Sequence, residues 1–184
     1  MDSVTKSYFE DLQSQDKDIR YEAFIYILKS TEEKVEWTYE VWDKLIDDLT
    51  DANNHRRAIA AQLLSNLSIS DPEKRILKDF PALMEVTKDK RFVTARHSLQ
   101  SIWKVGLAGE EQKEMVVSGL KERYKNCINE KNYTLIRYDI IKSLKKLDDH
   151  VQDDSISKQA IDLIELEEDN KYQKKYASVW KNKK

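Results

Sequence analysis

Leu45-Ile46-Asp47-Asp48-Leu49-Thr50-Asp51-Ala52-Asn53-Asn54-His55-Arg56-Arg57-Ala58-Ile59-Ala60-Ala61-Gln62-Leu63-Leu64 is the stretch whose reading decides the fold. A leucine-rich segment runs into a short polar turn around Asp51. A second segment follows, with Ala60, Leu63, Leu64 and Leu67 on one face at helical spacing. Two helices joined by so short a turn are expected to be antiparallel neighbours.

The same pattern extends in both directions. Ile19, Ala23, Tyr26 and Ile27 share a helical face, as do Leu99, Ile102 and Trp103, and Ile136, Ile140, Ser143 and Leu144. No stretch alternates as a strand would. Ten helices are expected, over 3–14, 17–29, 33–50, 54–68, 72–87, 91–105, 109–128, 132–146, 154–166 and 170–181. Asp71-Pro72-Glu73 reads as an N-cap with proline in the first helical position, where its missing N–H costs nothing. Pro81 is expected to kink or split the fifth helix. Gly106 and Gly109 bracket an expected loop.

Every second helix carries an arginine followed by a small or apolar residue at +3 and a large apolar residue at +7. The sets are Arg20/Ala23/Ile27, Arg57/Ala60/Leu64, Arg96/Leu99/Trp103 and Arg137/Ile140/Leu144, with arginines 37, 39 and 41 residues apart. A degenerate fifth copy, Gln173/Tyr176/Trp180, follows 36 residues later. Repetition at this period indicates stacked helical hairpins, because a single hairpin cannot bury its own apolar face.

The quoted stretch resembles the HEAT-repeat consensus, in which a turn aspartate precedes the second-helix arginine by six residues, as Asp51 precedes Arg57. Gln15-Asp16-Lys17-Asp18-Ile19-Arg20 is similar, with Ile19 for the usual valine. The third copy departs, Asp89 to Arg96 being one residue longer, and the fourth has Lys131 at the turn-aspartate position. The resemblance implies an all-α, right-handed superhelix of about five antiparallel pairs. These are repeats 3–30, 33–68, 72–106, 109–147 and 152–181 of one domain over 1–184. It also implies that Arg20, Arg57, Arg96 and Arg137 form a structural row near the helix seams.

Composition agrees with helices. Of 184 residues, 36% are charged and only 3 are Gly and 2 Pro, too few turn-formers for a sandwich or barrel. The single Cys127 excludes an internal disulfide and a multi-thiol metal site, and a reducing cytoplasm is the expected location. The first residues lack a signal-peptide pattern, and no apolar run is long enough for a membrane span. His55, His97 and His150 are the only histidines, and no His-Glu pair of the kind used by HEAT-like hydroxylases occurs. No catalytic residue, metal or cofactor is expected. The four tryptophans, Trp37, Trp42, Trp103 and Trp180, read as packing residues with one of them exposed.

Charge is unevenly placed. Residues 1–51 hold 6 basic and 14 acidic side chains, net −8; residues 52–147 hold 19 and 11, net +8; residues 148–184 hold 7 and 9, net −2. Such a dipolar chain can steer an anionic partner. Opposite the core side of the second helices, spacing places Tyr21, Ile25 and Leu28, then Ala58, Gln62 and Ser65, then His97, Ser101 and Lys104, then Tyr138, Lys142 and Lys145. In HEAT-like arrays second helices line the concave surface, so the resemblance makes Tyr21, Gln62, His97, Ser101, Lys104, Tyr138, Lys142 and Lys145 a partner-binding groove. The expected function is a non-catalytic scaffold or adaptor that binds a protein or peptide, with an acidic one best suited to the basic strip. Nucleic acid is the alternative partner. DNA-alkylation-repair glycosylases are similar to such arrays, but their catalytic residues find no position-by-position match here.

Overall fold

The computed structural model describes residues 1–181. Over these residues the chain is all-helical, without strand. Ten α-helices follow in order: α1 (Ser3–Asp11), α2 (Lys17–Ser30), α3 (Thr38–Asp48), α4 (Asn54–Leu67), α5 (Arg75–Val86), α6 (Phe92–Ser101), α7 (Glu110–Asn126), α8 (Tyr133–Val151), α9 (Asp154–Glu165) and α10 (Asn170–Ala177). Turns of 3₁₀ helix extend α4, α6, α7 and α10. Each odd helix packs on the even helix that follows it. The even helices also stack on one another in sequence, α2 on α4, α4 on α6, α6 on α8 and α8 on α10. Contacts of α5 with α7 and of α7 with α9 make a second, looser layer.

Short polar side chains start several of these helices. Asp2, Asp16, Asn53, Asp153 and Asp169 each accept a hydrogen bond from a backbone N–H of the first turn they precede. Those N–H groups have no partner inside the helix, so a cap there contributes about 0.5–2 kcal/mol. At α7 the charges do the same work: Glu110 and Glu111 stand in the first turn and Arg123 and Lys125 in the last, each complementing the helix dipole.

Several boundaries differ from expectation. The fifth helix begins at Arg75, not Pro72, because Lys74 turns left-handed with φ 55° and ψ 35°. Asp71 still serves that helix from outside it, accepting from the Ile76 N–H at 2.8 Å. Pro81 does not split α5, which runs through it; buried Phe80 and Leu83 anchor the helix on either side of the exposed proline. The α6 helix stops at Ser101 and tightens into 3₁₀ helix over Ile102–Leu107. Gly106 lies buried in that tight turn instead of a loop. A Cβ there would come within 2.8 Å of Leu147 Cδ1, so the absent side chain is what lets the turn approach α8. The α8 helix continues to Val151 and thereby brings Leu147 into the core.

The core follows the +3 and +7 rule. Ala23, Ala60, Leu99 and Ile140 are buried, as are Ile27, Leu64, Trp103 and Leu144. The most enclosed helix is α4, flanked by α2, α3 and α6, with Leu63, Leu64 and Leu67 each at 0% exposure. Each such leucine contributes about 1.5–3 kcal/mol relative to an exposed one. Trp42 is fully buried, Trp103 nearly so, and Trp37 and Trp180 are half-buried.

Candidate functional site

The arginines at the seams have their hydrogen bonds inside the fold. Arg20 donates to the carbonyls of Ser14 and Gln15, at 2.6 and 2.8 Å. Arg57 repeats that grip on its own turn, reaching the carbonyls of Asp51 and Ala52 at 2.7 and 3.1 Å. It also forks onto both oxygens of Asp89 in the next turn, at 2.5 and 3.0 Å. Burial by itself pushes the Asp89 carboxyl up, but its bonds to Arg57 and to the Arg91 N–H prevail and hold it below the usual range. In the longer third turn Arg96 reaches Asp139 on α8 instead, at 2.7 and 3.0 Å. Where Lys131 replaces the turn aspartate, Arg137 bonds the Tyr124 carbonyl at 3.2 Å and Glu167 at 2.8 Å. Arg123, on a first helix and outside the aligned register, makes a comparable fork to Glu130 and reaches the Thr87 carbonyl. Forked donors of this kind suit guanidinium and not ammonium groups.

The residues expected to line the second-helix face fall into three groups. Tyr21 is 67% exposed and Ile25 42%. In the middle the face closes. Ala58, Ser65 and Ser101 are buried, so Ser101 is not available to a partner. Its hydroxyl donates to the carbonyls of His97 and Ser98 and lies 3.5 Å from the Ser65 hydroxyl. Small side chains let α4 and α6 approach closely, and Thr94 adds a bond to the Asn54 carbonyl at 3.3 Å. Gln62 is half-buried and donates back to the Ala58 carbonyl at 3.0 Å. His97 remains at the surface; desolvation and then the Arg96 charge hold its imidazole below the ordinary value.

The third group gathers lysines over aromatic rings. Lys142 lies 5.7 Å and Lys175 4.6 Å from the centroid of Tyr138. Lys145 lies 5.4 Å from the Trp180 ring and Lys146 5.8 Å from the Trp103 ring. Ammonium groups favour such positions because the ring face is electron-rich. Lys145 is also paired with Asp149. Lys142, Lys146 and Lys175 are exposed and, among the described residues, have no carboxylate within pairing distance. Lys104 behaves differently because it rides on the 3₁₀ turn. It is half-buried, 3.9 Å from Glu32. Desolvation lowers the Lys104 ammonium, against the Glu32 charge and with that of Lys146.

Lys146 and Lys175 escaped the sequence reading. Lys146 lies one residue beyond the aligned position, and Lys175 belongs to the degenerate fifth copy, whose register against the others is weakest. Among the described residues no three His, Cys, Asp or Glu side chains gather as a metal site would require. No described helix is long and apolar enough to cross a membrane.

Neither a family model nor a curated relative matches the chain. Among solved structures it is similar to an engineered protein at 17% identity with a TM-score of 0.57, covering 97% of this chain and 79% of that one. A second engineered protein aligns at 13% identity with a TM-score of 0.51, covering 97% and 95%. At these identities the likeness concerns the helical fold alone.

Proposed function

We propose that the chain is a HEAT-like repeat protein, a right-handed superhelix of five helix pairs, and acts as a non-catalytic scaffold that captures an acidic protein or peptide. The stacking of successive even helices and the bonds between turns about one repeat apart support the architectural part. The observation that carries the functional part is the convergence of unpaired Lys142 and Lys175 on Tyr138, beside Lys146 on Trp103. Cations already seated on rings are held in place, so a carboxylate-bearing segment meets a preorganised positive strip and binds with less ordering cost. Steering by that strip raises the association rate more than the affinity. The lone Cys127, buried and with its thiol pushed up by that burial, suits a reducing cytoplasm.

The test is binding of a fluorescent poly-glutamate peptide, measured by anisotropy. Wild type should bind it and release it as salt rises, and Lys142→Glu with Lys175→Glu should abolish the signal. Equal binding by that variant would defeat the reading. A nucleic-acid partner draws on the same lysines over aromatics, since bases stack on exposed rings. It fits less well, because Glu32 and Asp149 stand on the same face and the chain as a whole is net −2.

A further inference from the structure

A cleft of about 450 Å³ opens where α3, α5 and α7 begin. Its walls come from the segment that enters α3, from the turn before α5, and from Ala108 and Gln112 at the start of α7. Val35, Ile69, Pro72 and Ala108 give it apolar surface, and its size is that of a small-molecule site. It shares no residue with the lysine strip around Tyr138.

Two polar groups at this cleft have no hydrogen-bond partner among the described residues: the Thr38 hydroxyl and the Gln112 side-chain carbonyl. Both residues are only 2% exposed. Gln112 stands third in α7, where such a carbonyl can close on the N–H of the capping residue, here Gly109, yet that bond is not made. A buried polar group left unpaired destabilises the fold. Other costs fall at the same place. The residues that precede α3, α5 and α7 (Trp37, Lys74 and Gly109) give them no side-chain cap, whereas Asp or Asn caps five other helices. Lys74 also adopts the left-handed φ of 55°, which a residue with a side chain takes only at a cost. Unpaired groups and strained backbone gathered at one cleft are what a binding site held open in the fold requires.

Charge and hydrogen-bonding pattern narrow the ligand. Lys34 and Glu36 bring one charge of each sign to the cleft, and Lys74 is paired with Glu111. Asp71 is buried, with its two oxygens taken by the Tyr39 hydroxyl at 2.5 Å and the Ile76 N–H at 2.8 Å. An anion in the cleft would meet the Asp71 carboxylate, and a cation would meet the positive ends of three helices. A neutral molecule meets neither penalty. The Gln112 carboxamide offers a donor and an acceptor side by side, a pattern that a cis amide in a ring returns.

We infer that this cleft binds a small uncharged ring with a cis-amide edge, a lactam or cyclic imide. Gln112 pairs with that edge, the Thr38 hydroxyl adds a further hydrogen bond, and Val35, Ile69, Pro72 and Ala108 pack against the rest of the ring.

Proton–nitrogen correlation spectra of the labelled full chain, titrated with δ-valerolactam, test it. The signals of Thr38, Ala108 and Gln112 should shift and saturate. N-methyl-δ-valerolactam, which lacks the N–H, and valerate, which carries a charge, should each bind about tenfold more weakly or worse, because a site built for hydrogen bonds rejects a ligand that leaves them unmade. Gln112→Met and Thr38→Val should weaken lactam binding by about tenfold, and Thr38→Ser, which keeps the hydroxyl, should preserve it. Without ligand, Gln112→Met and Thr38→Val should melt higher than wild type by about 2–4 °C, since each removes an unpaired buried group. Circular dichroism establishes that each variant is folded. No saturable shift at these residues with the lactam overturns the inference, as does equal binding of the methylated ring or of valerate. Lower melting temperatures for both Gln112→Met and Thr38→Val also overturn it, because the two groups would then be served by ordered water and belong to the fold alone.

Discussion

Arg57 and Asp89 stand 32 positions apart and form a two-pronged ion pair across the boundary between consecutive turns, at 2.5 and 3.0 Å. Both side chains are nearly buried, at 10% and 5% exposure. The same guanidinium also holds the carbonyls of its own turn. One side chain thus ties a hairpin together and ties that hairpin to the next.

Removing one member of such a pair leaves the other charge buried without a partner. Arg57→Ala should cost about 3–5 kcal/mol, and Arg57→Lys should recover only part of it because an ammonium cannot fork. Urea denaturation measures both. A loss under about 1 kcal/mol for Arg57→Ala would mean that the pair is dispensable.

Asp153 gives a pH signature. The Lys113 ammonium at 2.6 Å, with help from Ser155, holds its carboxyl at about 2, below the ordinary 3.8. A carboxyl depressed in the folded state stabilises the protein above its ordinary value, and that stability is lost as pH falls through the folded one. The melting temperature should therefore drop between pH 3.8 and about 2, and Asp153→Asn, which keeps the cap on α9, should flatten that part of the curve. An unchanged pH profile in the variant counts against the Lys113 bond.

Ala60 is 1% exposed within the most enclosed helix. Ala60→Leu should overpack the seam and destabilise by about 1–3 kcal/mol. Gly106→Ala should do likewise through Leu147, and the loss should shrink when Leu147→Val is added, since the clash is with the leucine's Cδ1. Strict additivity in that double-mutant cycle would show that the two residues do not touch.

Lys142→Glu with Lys175→Glu should leave stability within about 0.5 kcal/mol, because both side chains are exposed. Lys104→Glu should not be so mild, since it sets a second carboxylate against Glu32 in a half-buried position. Thermal melts separate the two cases, and equal effects would place Lys104 at the open surface.

A DNA column at low salt, with heparin as a phosphate-free polyanion for comparison, tests the nucleic-acid alternative. Retention that fades steeply as salt rises would support phosphate contacts by the lysine strip. Flow-through at low salt would eliminate them.

Helical periodicity by itself determined the helical class, the ten helices and the buried faces at Ala23, Ala60, Leu99 and Ile140. Those features depend on residues within one or two turns of each other, where the spacing of apolar side chains dictates which face leaves water. The short turns, with Asp16 and Asn53 as caps, are local in the same way. Other features depend on how closely two helices approach and how each is rotated, which small side chains on both partners set together. Ser101 looked solvent-facing on an isolated helix, yet the close contact of α4 with α6 buries it. The tightening of α6 at Ile102 carried Lys104 toward Glu32, and the packing of α10 on α8 brought Lys175 onto Tyr138. The carboxylates that Arg57, Arg96 and Arg137 reach lie 30 to 43 residues ahead of them, at varying offsets. No fixed spacing encodes them, because each guanidinium takes the nearest acid that the stacked neighbour presents, and only the tertiary structure sets which one that is.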